Sequence, residues 1–242
     1  MAHAVVLALL PLRVPPPLVA ACAGATGIAA AVELAQGRLV LAALLVQLKT
    51  VLDNADGQLA RFSGRVTAFG RYLDSELDLF VNAALFAAVG WYTGQPVLAA
   101  LGFGALTTVL NVNYNAERLY RAAHGDEAIA LPEATGRAAG LLRDLYVLLY
   151  APQDRLVERF VARRLRVASP QARLAYHDPA TVAVLTNLGM STQLLVFGLC
   201  IAPGRPALFA SIAVAELAVV AVLALRRELL IRTVPRLEEE GL

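Results

Sequence analysis

Lysine is almost missing from this chain. Of its 21 basic residues one, Lys49, is a lysine and the rest are arginines. Cysteine is nearly as scarce. Cys22 and Cys200 both fall inside apolar runs, with no metal-ligand spacing, so they read as small packing residues and exclude a disulfide-stapled or zinc-ribbon fold. The three histidines, His3, His124 and His177, are scattered, and no zinc motif can be built from them. Charged residues make up only 17% of the chain and the formal net charge is +2, too near neutral to point to nucleic acid. The sequence also has no internal repeat and no low-complexity linker.

Apolar residues are what the chain has in excess. They make up 58% of its 242 residues, against about 45–50% in a soluble domain. That composition makes lipid the expected solvent, and the length suits a single membrane domain over 1–242. Crossing about 30 Å of hydrocarbon takes about 20 apolar residues in a helix. Six stretches qualify: 17–35, 39–60, 69–92, 96–120, 181–202 and 206–229. The second and third qualify only if polar residues are allowed at membrane depth. The expected fold class is therefore all-α, a polytopic membrane protein with six transmembrane helices. Residues 1–10 are apolar without a basic leader or a small-residue cleavage site, and read as an interfacial or truncated segment rather than a signal peptide.

Arginine placement sets the orientation. The short turn-like links around residues 36–38, 93–95 and 203–205 carry only Arg38 and Arg205, whereas the opposite side carries Arg13, Arg61, Arg65, Arg71 and fourteen more, down to Arg236. Basic residues stay on the cytoplasmic side. Both termini and the loop after the second span are thus expected there, in the cell membrane. Between spans four and five lies an insertion, 121–179. Residues 140–150 are apolar but too short to cross. Residues 154–167 set Leu156, Val157, Phe160, Val161 and Leu165 against arginines at helical spacing, the pattern of a basic amphipathic helix in the headgroup plane. A solvated connector or a partner-packing surface fits the same pattern.

The second and third spans hold four aspartates. An ionisable group at membrane depth costs about 2.5–3.5 kcal/mol on insertion scales and marks function by default. Asp53 and Asp56 are i, i+3, and Asp74 and Asp78 are i, i+4, so each pair shares a helix face. The loop from Arg61 to Phe69 lets the two helices run antiparallel and brings the pairs together. Four carboxylates this close repel unless divalent cations sit among them, and oxygen-only ligands suit Mg²⁺, Mn²⁺ or Ca²⁺ rather than zinc. Gly57 and Ala60 are small enough for a ligand to approach the backbone. Arg61 can pair with a phosphate oxygen, and Gly70 permits tight helix packing.

These residues spell D-x2-D-G-x2-A-R-x8-G-x3-D-x3-D from Asp53 to Asp78, eight fixed residues over 26 positions. The pattern resembles the signature of the CDP-alcohol phosphotransferase (CDP-alcohol phosphatidyltransferase) family. The resemblance implies transfer of a phosphoryl-alcohol group from a CDP-alcohol to an acceptor hydroxyl, with release of CMP. It further implies two divalent ions, Mg²⁺ or Mn²⁺, on Asp53, Asp56, Asp74 and Asp78, with Asp78 also acting as the base. Asp56, Gly57, Ala60, Arg61, Gly70 and Asp74 would contact the CDP donor. Six transmembrane helices, a homodimer and a polar cavity open to the cytoplasm belong to the same expectation. Pro17 and Ala20 stand where some members carry Asn and Thr, and Leu79 stands where many carry a basic residue.

The expected donor is CDP-diacylglycerol and the expected acceptor a polar alcohol or polyol phosphate. A soluble donor such as CDP-inositol, joined to inositol phosphate, is the alternative. A cation transporter would also use intramembrane carboxylates, but leaves Gly57, Ala60, Arg61 and Gly70 unexplained. Candidate acceptor contacts are Asn82, one turn beyond Asp78, and Asn111, Asn115 and Arg118 on one face of span four. Helix–helix glue is an equal reading of the last three. Lys49, one turn before Asp53, either touches donor phosphate or balances the carboxylates. Glu33 and Glu216, near the opposite membrane side, read as structural or interfacial.

Overall fold

A computed structural model describes residues 2–125 and 136–233, which fold into helices and turns. In chain order the helices are α1 (Ala2–Leu9), α2 (Pro16–Ala35), α3 (Leu39–Phe62), α4 (Ala68–Thr93), α5 (Pro96–Ala123), α6 (Arg137–Leu149), α7 (Ala151–Leu165), α8 (Pro170–Tyr176), α9 (Pro179–Asn187), α10 (Met190–Ile201) and α11 (Pro206–Thr233). Part of the 121–179 insertion, 126–135, and Arg236 lie outside the described residues.

Proline starts many of these helices. Pro16, Pro96, Pro152, Pro170, Pro179 and Pro206 stand at or beside a first helical position, where a missing N–H breaks no intrahelical bond. Glycine closes them: Gly37 and Gly94 adopt left-handed φ of 76° and 67° in the links after α2 and α4. Between α3 and α4 the expected loop is tighter than the sequence suggested. Helix α3 runs on to Phe62, Gly64 turns the chain at φ 65°, and the Thr67 hydroxyl caps α4 by accepting from the Gly70 N–H at 3.1 Å.

Four segments of the described residues are long and apolar enough to cross a membrane: α2, α5, the Pro170–Ile201 stretch built from α8 to α10, and α11. Helices α3 and α4 have the length, 24 and 26 residues, but carry Lys49, Asp53, Asp56 and Arg61 and Arg71, Asp74, Glu76 and Asp78. Large apolar side chains face outward along the bundle, among them Leu18, Val32, Val40, Leu44, Leu199 and Val222. A continuous apolar exterior of this kind is costly in water and stable in lipid.

The expected continuous helix over 181–202 is a correction: α9 stops at Asn187 and α10 starts afresh at Met190. Gly189 there has extended backbone (φ −71°, ψ 168°), and the Gln193 amide Nε2 donates to the Leu188 carbonyl freed by the break, at 3.2 Å. A side chain thus satisfies a backbone acceptor that a helix would otherwise use.

The core of the bundle is aromatic at its centre. Phe197 stacks on Phe86 and on Phe209, among Val81, Leu85, Leu106 and Leu194. Helix α2 approaches α4 closely because Gly27 leaves room: a Cβ there would lie 2.4 Å from Val81 Cγ1. At the other end, α1 packs Val6 against Val19, Ala55 and Leu59, which fixes the half of α3 that carries Asp53 and Asp56. Helix α7 divides the apolar side read from its sequence. Val157, Val161 and Leu165 pack inward with Leu119, Tyr176 and Ile231, while Leu156 and Phe160 are exposed.

Candidate active site

Asp53 and Asp56 stand on the second half of α3, and Asp74 on the first half of α4. One carboxylate oxygen from each of these three comes within 4.8 Å of the others. Asp56 is buried, and its Oδ2 has no hydrogen-bond partner among the described residues. An unpartnered buried carboxylate oxygen facing two more carboxylates is a poor arrangement without a cation. The donor set, three hard oxygens, fits Mg²⁺ or Mn²⁺.

Asp78 takes a different partner. Its Oδ1 accepts from the Lys49 ammonium, which also donates to Asp53 Oδ1 at 2.9 Å. Lys49 is only 2% exposed and joins α3 to α4 through this double ion pair.

Beside the three aspartates lies a cavity of about 360 Å³, lined by Asp56, Gly57, Ala60, Arg61, Gly70 and Asp74. Pro16, Pro17 and Ala20 of α2 close one wall, and Arg65, Val66, Thr67 and Arg71 complete it. A Cβ at Gly57 would meet Arg61 Nη1 at an ordinary contact distance of 3.5 Å. Arg71 is held by the Tyr114 hydroxyl at 3.1 Å, and Arg65 donates to the Arg13 carbonyl at 3.4 Å. Arg61 forms no ion pair among the described residues. The cavity therefore joins a carboxylate cluster to three guanidinium groups, the two chemistries needed for a metal-bridged phosphate.

The remaining sequence candidates sit elsewhere. Asn82 is buried one turn past Asp78 and its Nδ2 lies 3.7 Å from Met190 Sδ, beside the α9–α10 break. Asn111 and Asn115 both donate to Asp154 Oδ1 of α7, at 3.0 and 2.8 Å. Arg118 donates to Asn115 Oδ1 at 2.9 Å and pairs with Glu158 at 2.7 Å. These three thus tie α5 to the insertion.

The structure also brings in residues that the sequence reading left out. Arg65, Arg71 and Thr67 line the cavity; their signal was the arginine-rich block itself. Asn54 and Ser191 bond across α3 and α10 at 3.0 Å. Helix α6 lays Tyr146 and Tyr150 against α4, where Tyr146 faces Tyr72 and the Tyr150 hydroxyl donates to the Ser75 carbonyl at 3.0 Å. Burial, with the nearby Glu76, Asp78 and Asp74 carboxylates, pushes the Tyr150 hydroxyl well above its ordinary range and keeps it a donor. Glu76 is buried with both oxygens unpartnered among the described residues. No sequence signal marks Tyr150 before α6 is docked, whereas Glu76 carries the signal of an ionisable residue inside the third span.

Similarity to known proteins agrees with this chemistry. A bifunctional IPC transferase and DIPP synthase of Thermococcus kodakarensis is 37% identical over 81 residues, covering 33% of this chain and 19% of that protein. The phosphatidylinositol phosphate synthases of Corynebacterium glutamicum and Streptomyces avermitilis are 36% and 28% identical. The first match covers 45% of this chain and 44% of that protein, and the second 57% and 55%. The chain thus spans about a fifth to just over half the length of these relatives. No solved structure matches. The sequence model of the CDP-alcohol phosphatidyltransferase family covers residues 13–151, more than half of the chain and all of the carboxylate motif, and the chain belongs to that family.

Proposed function

We propose that this protein transfers a phosphoryl-alcohol group from a CDP-alcohol to an acceptor hydroxyl and releases CMP. The observation that carries this reading is the convergence of Asp53, Asp56 and Asp74 beside a cavity lined by Gly57, Ala60, Arg61 and Gly70. In the membrane the proposed arrangement is one domain of six spans: α2, α3, α4, α5, the α9–α10 pair and α11. Both termini and the carboxylates lie toward the cytoplasm, and the exposed Leu156 and Phe160 of α7 rest at the headgroup plane. A homodimer is part of the same proposal.

Each residue has a task. Asp53, Asp56 and Asp74 hold a divalent ion, Mg²⁺ or Mn²⁺, as the oxygen donors favour. When bound, the ion supplies positive charge against the pyrophosphate and the departing CMP. A second ion would have to share Asp78 with Lys49. Arg61, Arg65 and Arg71 pair with donor phosphate oxygens, and Gly57, Ala60 and Gly70 let the nucleotide lie against backbone. Asp78, with one oxygen held by Lys49, keeps the other to take the acceptor's proton as the acceptor's hydroxyl oxygen bonds to phosphorus and the bond from phosphorus to CMP breaks. Lys49 orients this base.

CDP-diacylglycerol is the donor we favour, because Pro16, Pro17, Ala20 and Val66 give the cavity an apolar wall next to Asp56. The acceptor is a polar alcohol or polyol phosphate. A soluble donor such as CDP-inositol is the second reading, supported by the three arginines at the same cavity and by the relative named as an IPC transferase and DIPP synthase. The test follows CMP release by the purified full chain with Mg²⁺ or Mn²⁺, from CDP-diacylglycerol and from CDP-inositol. Inositol phosphate, glycerol phosphate, inositol, serine or no acceptor is offered with each donor. Acceptor-dependent CMP with one donor selects the reading; silence across the panel with both sinks the enzyme proposal.

A further inference from the structure

A cation already sits between two of the motif's four carboxylates. Lys49 and Asp53 are one turn apart on α3, and Asp78 faces them from α4. The Lys49 ammonium reaches Oδ1 of both carboxylates, and its side chain is as buried as the hydrophobic core around it. It cannot swing into solvent without leaving Asp78 unpaired inside the bundle, an arrangement that buried ion pairs resist. A divalent ion bridging Asp53 and Asp78 would sit beside the ammonium that already bridges their Oδ1 atoms, and the two cations would repel at short range. The other three carboxylates converge without Asp78.

Resting on the function proposed above, we infer that Lys49 stands in for a second metal ion, so that this protein works with one divalent cation, held by Asp53, Asp56 and Asp74. Charge balance points the same way. Four carboxylates, Lys49, one divalent ion and the arginines Arg61, Arg65 and Arg71 leave two positive charges, which match one negative charge on each phosphate of a CDP diester. A second divalent ion would leave the loaded site two charges too positive. Lys49 is on this account a positioning residue: it fixes one oxygen of Asp78 and leaves the other free toward the acceptor.

The experiment counts ions rather than turnover. The full chain in detergent is titrated with Mn²⁺ and read by electron paramagnetic resonance. Wild type is expected to bind one tight Mn²⁺ per chain with the six-line signal of an isolated ion. In Lys49→Met the freed oxygens of Asp53 and Asp78 should admit a second, giving two per chain and an exchange-coupled signal, while Lys49→Arg keeps one. Asp78→Asn should still bind one, since Asp78 is no ligand. Two ions in wild type, or loss of a bound ion in Asp78→Asn, overturns the inference; so does a Lys49→Met protein that elutes as a single species and still binds one. Should Lys49→Met aggregate, the wild-type and Asp78→Asn counts decide alone. Wild type binding no Mn²⁺ defeats the metal reading of the three aspartates itself, a failure separate from finding two.

Discussion

The hydroxyl of Tyr150 lies 3.0 Å from the carbonyl oxygen of Ser75 and donates to it. That bond fastens the inserted helix α6 to α4 one residue after Asp74, next to the buried Glu76. It makes the insertion part of the wall around the carboxylates.

Tyr150→Phe removes only this hydroxyl. A hydrogen bond of this kind contributes about 0.5–1.5 kcal/mol net, so thermal unfolding in detergent should show a loss of that order. CMP release should fall with it, because the start of α4 is freed to shift. Unchanged stability together with unchanged activity would mean that α6 docks without help from this bond.

Asp78→Asn should abolish acceptor-dependent CMP release, by about 10²–10⁴-fold, the usual contribution of a positioned base. The amide keeps the shape and loses the proton acceptor. Steady-state kinetics should place the loss in kcat, with the KM for donor little changed. A loss confined to KM would assign Asp78 to binding.

Arg61→Lys tests the cavity's guanidinium groups. The ammonium keeps the charge and loses the planar fork that matches phosphate oxygens. At about 1.5–3 kcal/mol for a charged hydrogen bond, kcat/KM for the CDP donor should fall by roughly 10–100-fold with kcat less affected. Equal activity would remove Arg61 from the donor site.

Metal removal should destabilise the folded chain. A ligand at about 100 times its Kd stabilises by about 2.7 kcal/mol, so chelator should lower Tm relative to saturating Mn²⁺. Asp56→Asn, which replaces the carboxylate whose Oδ2 lacks a partner, should show a much smaller difference. The same Mn²⁺-dependent shift in both proteins would place the ion elsewhere.

Gly27→Ala should destabilise by about 1–3 kcal/mol through overpacking, since its Cβ would press on Val81 at 2.4 Å. Gly104→Ala is the control: nothing lies within 4 Å of a Cβ there, and in a helix alanine is favoured over glycine. Thermal unfolding of the pair separates packing from helix propensity.

Much of this protein can be read from its sequence. Apolar runs bounded by Pro16, Pro96 and Pro206 mark three of the long helices, because proline fixes a helix start and a run of about 20 apolar residues fixes its extent. Spacing alone puts Asp53 with Asp56 and Asp74 with Asp78 on shared faces, since helical geometry is local. The eight-residue motif then carries the family, and with it the class of chemistry.

What the sequence leaves open is which neighbour each face meets. Asp74 and Asp78 share a face, yet Asp74 joins Asp53 and Asp56 while Asp78 turns to Lys49. That choice depends on how α3 and α4 are rotated against each other, which α1 and α2 set through Val6, Leu59 and the space at Gly27. Asn111, Asn115 and Arg118 share a face as their spacing requires, but Asp154 and Glu158 of α7 claim it. The break at Gly189 hides in a run with no proline, where a side chain from Gln193 satisfies the carbonyl that is freed. Periodicity fixes the faces because it acts within a turn or two; long-range packing, invisible in that periodicity, decides their partners.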